Sequence, residues 1–348
     1  MKHQPCVVVL AAVLGIGAAF PAGAEFEAPT PGPSTAGNQF NPKLWEVWAR
    51  TYGGYDDNVV FVANGDPFFL GETDSPYVGV MAGGLFRYPV TEGLTLGVAA
   101  EVEKIWHLDD QDDPDITASE QRSYDWLSVS PTAFAEYSFD VAGMPTLTTL
   151  AYNFRKDYRP DHADSEALGL DSHSVSLSGN LKPIRDLEFG TSFSYEWHDL
   201  EVEFPDPELD DQDGEQWTLG VTGRWYFDRH RRSIGLSYAY SENDATGRNF
   251  DYTGHTIGLD SRNHIYGPVY GSVSVSYAWY DYRGFISGFV PQPGRDYEHI
   301  LETGSTVYWY INQWVTADVY VQYQDFSSNN DLFSGDRTNV GGGLTVRY

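Results

Sequence analysis

The sequence predicts an all-β chain that closes into a transmembrane, antiparallel, up-and-down β-barrel of about 14 strands. Three observations predict it. Apolar residues recur with a period of two along the chain, aromatic residues gather at the ends of those segments, and short and long connections alternate between them.

The stretch from Ser272 to Trp279 shows the period most cleanly. Val273, Val275, Tyr277 and Trp279 alternate with Ser272, Ser274, Ser276 and Ala278, whereas a helix would repeat every ~3.6 residues. Leu94, Leu96, Val98, Ala100 and Val102 do the same against Thr95, Gly97, Ala99, Glu101 and Glu103. Val315, Ala317, Val319, Val321 and Tyr323 repeat it again. Segments of this kind centre near Val47, Ala82, Val98, Ala133, Leu150, Leu177, Phe193, Val221, Leu236, Leu259, Val275, Val307, Val319 and Leu344.

Short turns are expected near 89–93, 141–145, 182–186, 228–231, 267–268 and 312–313. Long polar connections are expected near 54–74, 107–122, 159–171, 203–215, 242–253, 285–297 and 327–336. That alternation, with an even strand number, is the topology of an outer-membrane barrel. It puts both termini and the short turns in the periplasm and the long loops outside the cell. A soluble β-sandwich would also alternate, but its interior would favour Val, Ile and Leu. Here Trp45, Phe86, Tyr88, Trp106, Tyr137, Phe139, Trp197, Trp225, Phe227, Trp279, Trp309 and Trp314 stand at segment ends. Rings at those places suit two membrane interfaces, where one edge stays wet.

Composition narrows the function classes. The 348 residues carry 50 acidic and 21 basic side chains, a formal net charge of −29. Binding to nucleic acid would need a basic surface to neutralise phosphates, and that class is excluded. Tyr, Trp and Phe make up 15% of the chain, far from the aromatic-poor profile of a disordered acidic protein. Residues 1–24 read as a cleavable export signal: Lys2 and His3, an apolar run from Val7 to Phe20, then Ala22-Gly23-Ala24 with cleavage near Ala24. Cys6 lies ahead of that run, so the mature chain has no thiol for a disulfide, a metal or a nucleophile. Residues 25–42, with Pro29, Pro31, Pro33 and Pro42, read as a periplasmic linker or a plug that folds into the lumen. Residues 43–348 form the barrel.

The last third resembles a known family. Arg295-Asp296 opens a segment ending in Tyr308-Trp309-Tyr310, followed by Ala317-Asp318-Val319-Tyr320-Val321-Gln322-Tyr323. Asn329-Asn330-Asp331 comes next, and Asn339 through Gly341-Gly342-Gly343 to Tyr348 closes the chain. This resembles the end of the β-barrel porins of Gram-negative bacteria. It is also similar to the barrel half of surface lipoprotein assembly modifiers, and Tyr55-Asp56-Asp57-Asn58-Val59 resembles an element after their first strand. Those modifiers carry a helical repeat domain before the barrel, whereas here only residues 25–42 stand there. The resemblance implies a conduit in the outer membrane.

With apolar residues facing lipid, the opposite register faces the lumen. It contains Glu46, Arg50, Arg87, Glu101, Glu103, Glu188, Glu196, Arg224, Asp260, Arg262, Glu302, Asp318 and Arg347. Internal salt bridges are the plain reading of these residues. A selectivity constriction, with carboxylates opposing guanidiniums across a narrow pore, is the sharper one. The acidic runs Asp109 to Asp115 and Asp206 to Glu215 lack the spacing of a helix-loop-helix calcium site and read as solvated loops, with Ca²⁺ as the weaker alternative. His198-Asp199, and His107 near Asp109, sit at rim positions, but no nucleophile with an oriented base accompanies them, so no enzyme is expected. No cofactor is expected.

The function predicted is passive diffusion of small solutes by a monomer among outer-membrane lipid and lipopolysaccharide, placed there by barrel-insertion machinery. The alternatives are the barrel of an export or assembly system, serving lipoproteins or polysaccharide with a periplasmic or surface partner, and a closed adhesive barrel.

Overall fold

A computed structural model describes residues 44–57, 74–108, 125–158, 170–200, 211–283, 296–329 and 334–348. The signal segment, residues 25–42, the run Asp109 to Asp115 and residues 206–210 of the second acidic run lie outside the described residues. The strands are β1 (Trp45–Asp56), β2 (Ser75–Pro89), β3 (Leu94–His107), β4 (Trp126–Val141) and β5 (Met144–Tyr158). They continue as β6 (Leu170–Ile184), β7 (Leu187–Leu200), β8 (Gly214–Phe227), β9 (Arg232–Ala245) and β10 (Tyr252–Tyr266). The last are β11 (Val269–Tyr282), β12 (Tyr297–Tyr310), β13 (Val315–Ser328) and β14 (Gly335–Arg347). Each pairs antiparallel with its sequence neighbours, and β1 pairs with β14, so the barrel is closed. All fourteen expected segment centres fall within these strands.

One expected connection is corrected. The long loop placed at 242–253 is short: β9 runs to Ala245, and a single 3-10 turn (Arg248–Phe250) leads into β10. Its polar residues serve the turn itself. Asn243 Nδ2 donates to the Phe250 carbonyl at 2.9 Å, and Ala245 N–H donates to the Asp251 carboxylate at 2.7 Å. At the opposite end, Ala142 and Gly143 take positive φ between β4 and β5, and Gly267 does so between β10 and β11. The turn end is the rim with the short connections after β2, β4 and the other even strands; the loop end is the other rim.

Strand register fixes the barrel's shape. One circuit of the paired residues returns to β1 about 18 positions further along. With ~3.3 Å per residue and ~4.8 Å between strands, the strands tilt by roughly 40° and the backbone lies roughly 14 Å from the axis.

The two faces divide by parity. On β10 and β11, Ile257, Leu259, Val273, Val275 and Tyr277 point outward and are exposed. Their sequence neighbours Gly258, Asp260, Ser274 and Ser276 point inward. The outer face carries an aromatic belt at each rim: Trp45, Phe86, Tyr88, Tyr137, Trp225, Trp309 and Tyr348 at the turn end, and Trp106, Trp197, Trp217 and Trp279 at the loop end. Two histidines join the loop-end belt. His173 stacks on Trp197 at 5.5 Å and bonds the Tyr152 hydroxyl at 2.7 Å; His255 stacks on Trp279 at 5.0 Å and bonds the Tyr238 hydroxyl at 2.8 Å. No helix among the described residues is long and apolar enough to cross a membrane.

The outward parity predicts a contrast that reversible urea titration in lipid vesicles measures. Leu259, 53% exposed at mid-height, sits on the outer face; Leu259→Arg is expected to destabilise the barrel by about 2–4 kcal/mol. Ser274→Arg, on the inner face at the same height, is expected to stay within about 0.5 kcal/mol of the parent. Equal costs would contradict the facing.

Candidate functional site: the barrel lumen

All thirteen sequence-selected charged residues occupy the register opposite the apolar one. The structure joins many of them directly. Arg50 on β1 meets Asp318 on β13 at 2.8 Å, both nearly excluded from solvent. Arg347 meets Glu46 at 2.8 Å, and Arg224 meets Asp260 at 2.9 Å. Arg87 grips Glu136 with two nitrogens at 3.1 and 3.4 Å, and Lys182 meets Glu188 at 3.3 Å. Arg262 instead donates to the Tyr310 hydroxyl at 2.6 Å. Glu101 accepts from Trp48 Nε1 at 3.0 Å, and Glu103 accepts from the Tyr52 hydroxyl.

The Arg50 to Asp318 pair crosses over β14, and glycine makes the crossing possible. A Cβ on Gly343 would lie 2.8 Å from Arg50 Nε. On the next strand over, a Cβ on Gly79 would lie 2.2 Å from the Tyr52 ring, so that ring lies flat on bare backbone. The glycine run 341–343 therefore provides a floor for neighbouring side chains. No helix start follows it, and no phosphate loop is formed.

Several inward contacts escaped the sequence reading. Arg337 closes on Asp56 with a two-nitrogen grip, extended by Asn339, and Tyr77 bonds both Asn339 and Tyr320. Arg155 pairs with Asp157 at 3.0 Å. Runs such as Arg155-Lys156-Asp157 put charge on both faces, and Lys156 indeed points outward to Asp171 at 2.8 Å. Only the pairing partners reveal which members point inward.

The lumen has two unlike walls. From β13 through β14, β1, β2 and β3 large polar inward residues, Asp318, Tyr320, Gln322, Arg50, Tyr52, Tyr77, Glu101 and Glu103, lie among inward glycines such as Gly79, Gly341 and Gly343. From β6 to β11 the inward residues are mostly Ser, Thr and Gly, including Ser174, Ser176, Ser192, Ser194, Thr222, Ser237 and Ser274. Ser192, Thr222 and Ser274 are inward yet exposed, so the described wall leaves open space at mid-height. With the register advance included, Arg50, Asp318, Tyr320, Glu101 and Glu103 lie within roughly 8 Å of height.

Of the rim His and Asp residues, Asp109 lies outside the described residues. His198 points inward and its neighbour Asp199 outward. His107 faces Asp125, whose carboxylate accepts the His107 backbone N–H at 2.7 Å. Outside the spanning segments, burial pushes the Asp213 and Asp251 carboxyls above their usual range, although backbone N–H groups of Leu200 and Ala245 partly offset it. Among the described residues no group of three or more His, Cys, Asp or Glu is placed to hold a metal.

A closed barrel with an apolar outer face, two aromatic belts and a polar lumen defines a porin-like outer-membrane fold. Solved structures similar to this chain include outer-membrane proteins. One is a loop-deletion mutant of OmpT, an outer membrane protein of Vibrio cholerae, at 12% identity and TM-score 0.46, covering 88% of this chain and 100% of that one. A second is OccAB4 of Acinetobacter baumannii, at 11% identity and TM-score 0.42, covering 89% and 100%. A third is an anion-selective porin from Comamonas acidovorans, at 9% identity and TM-score 0.43, covering 87% and 98%. These likenesses concern the fold alone. No family model matches the chain, and no curated protein does.

Removing one partner of a buried ion pair strands the other. Asp318→Ala is therefore expected to cost about 3–5 kcal/mol in urea unfolding, and adding Arg50→Met to recover a large part of it. Equal stability of parent and Asp318→Ala would remove the pair from the account.

Proposed function

We propose that the protein lies in the bacterial outer membrane, with both termini in the periplasm, and lets small solutes diffuse passively through its polar lumen. The observation that carries this reading is the open inward face of β7, β8 and β11, where Ser192, Thr222 and Ser274 stay exposed behind an apolar outer wall. A closed structural barrel would spend that face on packing. Fourteen strands make a narrower conduit than the 16–18 of wide aqueous porins.

The conduit acts as a monomer, with lipid and lipopolysaccharide as its surroundings and no cofactor or catalytic step. The ion pairs of the lumen keep the wall rigid and wet without filling it. The acidic balance of the chain disfavours anions at the mouth.

Single-channel recording in a planar bilayer tests the reading. Refolded protein is expected to give stable conductance steps. Silence from protein shown to be folded by heat-modifiable mobility would overturn passive diffusion and favour an export or assembly role.

A further inference from the structure

Two side-chain clusters on the outer face repeat one another. On β5, β6 and β7, Tyr152, Phe154, His173, Tyr195 and Trp197 form the first. Four strands on, Tyr238, Tyr240, His255, Tyr277 and Trp279 form the second on β9, β10 and β11. Each imidazole is stacked on its tryptophan and bonds a tyrosine hydroxyl through Nδ1, at 2.7 Å in one cluster and 2.8 Å in the other. A further ring closes from the preceding strand, Phe154 at 4.9 Å and Tyr240 at 5.1 Å. The sequence repeats as well: Ser192-Phe193-Ser194-Tyr195-Glu196-Trp197 parallels Ser274-Val275-Ser276-Tyr277-Ala278-Trp279. Among the described residues no other histidine combines a tyrosine hydroxyl on Nδ1 with a tryptophan face.

This setting dedicates Nε2. With the tyrosine hydroxyl donating to Nδ1, the neutral ring carries its proton on Nε2. In the charged ring Nδ1 donates instead, and Nε2 still donates. Among the described residues neither Nε2 has a hydrogen-bond partner. The register brings the two rings to within roughly 3 Å of a common height, in the loop-end belt where headgroups lie. Roughly 25 Å of wall separates them, so each takes its own ligand.

The surrounding charges decide when an anion is held. On the loop side of His173 stand Lys156, paired with Asp171 at 2.8 Å, and the exposed Asp199. On the loop side of His255 stand Glu242, paired with Arg283, and the exposed Asp281. Between the clusters Glu215, bonded by the Tyr195 hydroxyl, faces Asp244. His299 lies beyond, stacked on Tyr277 at 5.8 Å. One cation per cluster, Lys156 or Arg283, leaves carboxylate in excess. Charge on the imidazoles offsets it.

We propose that the two clusters are equivalent docking sites for a phosphorylated glycolipid of the outer leaflet. Nε2 donates to a phosphate oxygen, the rings bed the sugar and the root of the acyl chains, and binding tightens as the imidazoles protonate. The inference rests on the outer-membrane placement proposed above and not on conduction, so the two readings fail separately.

Binding of bis-phosphorylated lipid A to the full barrel, in detergent with EDTA, tests it. The comparison is between about pH 5.5 and about pH 7.5, across the range where imidazole exchanges its proton. Parent protein is set beside His173→Phe, His255→Phe and the double variant, which keep the ring stacks and remove the donors. The parent is expected to bind about fivefold more tightly at the lower pH. The double variant is expected to lose that gain, and each single variant part of it. Lipid A stripped of both phosphates is expected to show no gain with the parent. A full gain in the double variant, or in both single variants should the double variant fail to fold, overturns the sites. Equal gain with the stripped lipid, or equal affinity of the parent at both pH values, overturns them too.

Discussion

Closure of the wall between β1 and β14 is the constraint on which everything else depends. In lipid no water can satisfy an exposed strand edge, so the first and last strands must pair although most of the chain lies between them. The structure reinforces that seam at three heights on its inner side. Glu46 meets Arg347 near the turn end, Arg50 reaches Asp318 at mid-height, and Asp56 holds Arg337 near the loop end. At the turn-end rim Val47 and Tyr348 exchange backbone hydrogen bonds, and Tyr348 stacks on Trp314 at 4.7 Å.

Those same pairs shape the lumen. Guanidiniums used to fasten the seam are no longer available to offset other carboxylates, and the glycines that let Arg50 and Tyr52 lie flat keep this wall thin. The opposite wall carries such pairs only towards the turn end, where Lys182 meets Glu188 and Arg224 meets Asp260. At mid-height it is mostly Ser, Thr and Gly and stays open. Unlike walls thus follow from where the chain begins and ends its circuit.

Much of this was legible in the sequence. Parity alone assigns Leu259 to one face and Asp260 to the other, because a strand reverses its side chains at every residue. Heights were not legible, since they depend on the register advance summed over all the pairings, which no single segment reveals. For that reason the sequence selects Arg50, Asp318, Glu101 and Glu103 as inward without showing that they lie at similar heights. Charge runs defeated parity at Arg155 and Arg337. The connection at 242–253 misled because its polar residues cap a tight turn instead of lengthening a loop. The histidine stacks on Trp197 and Trp279 required knowing which strands adjoin.

The division between a lipid-facing and a water-facing register is the central claim, and cysteine accessibility along β7 tests it most directly. In a chain whose only cysteine, Cys6, lies in the segment expected to be cleaved, single cysteines are placed in turn at Thr191, Ser192, Phe193 and Ser194. A charged, water-soluble thiol reagent is then applied to the barrel in lipid. Cysteines at 192 and 194 are expected to react rapidly and those at 191 and 193 to stay protected. Uniform reactivity along the strand, or the reverse alternation, would contradict the account.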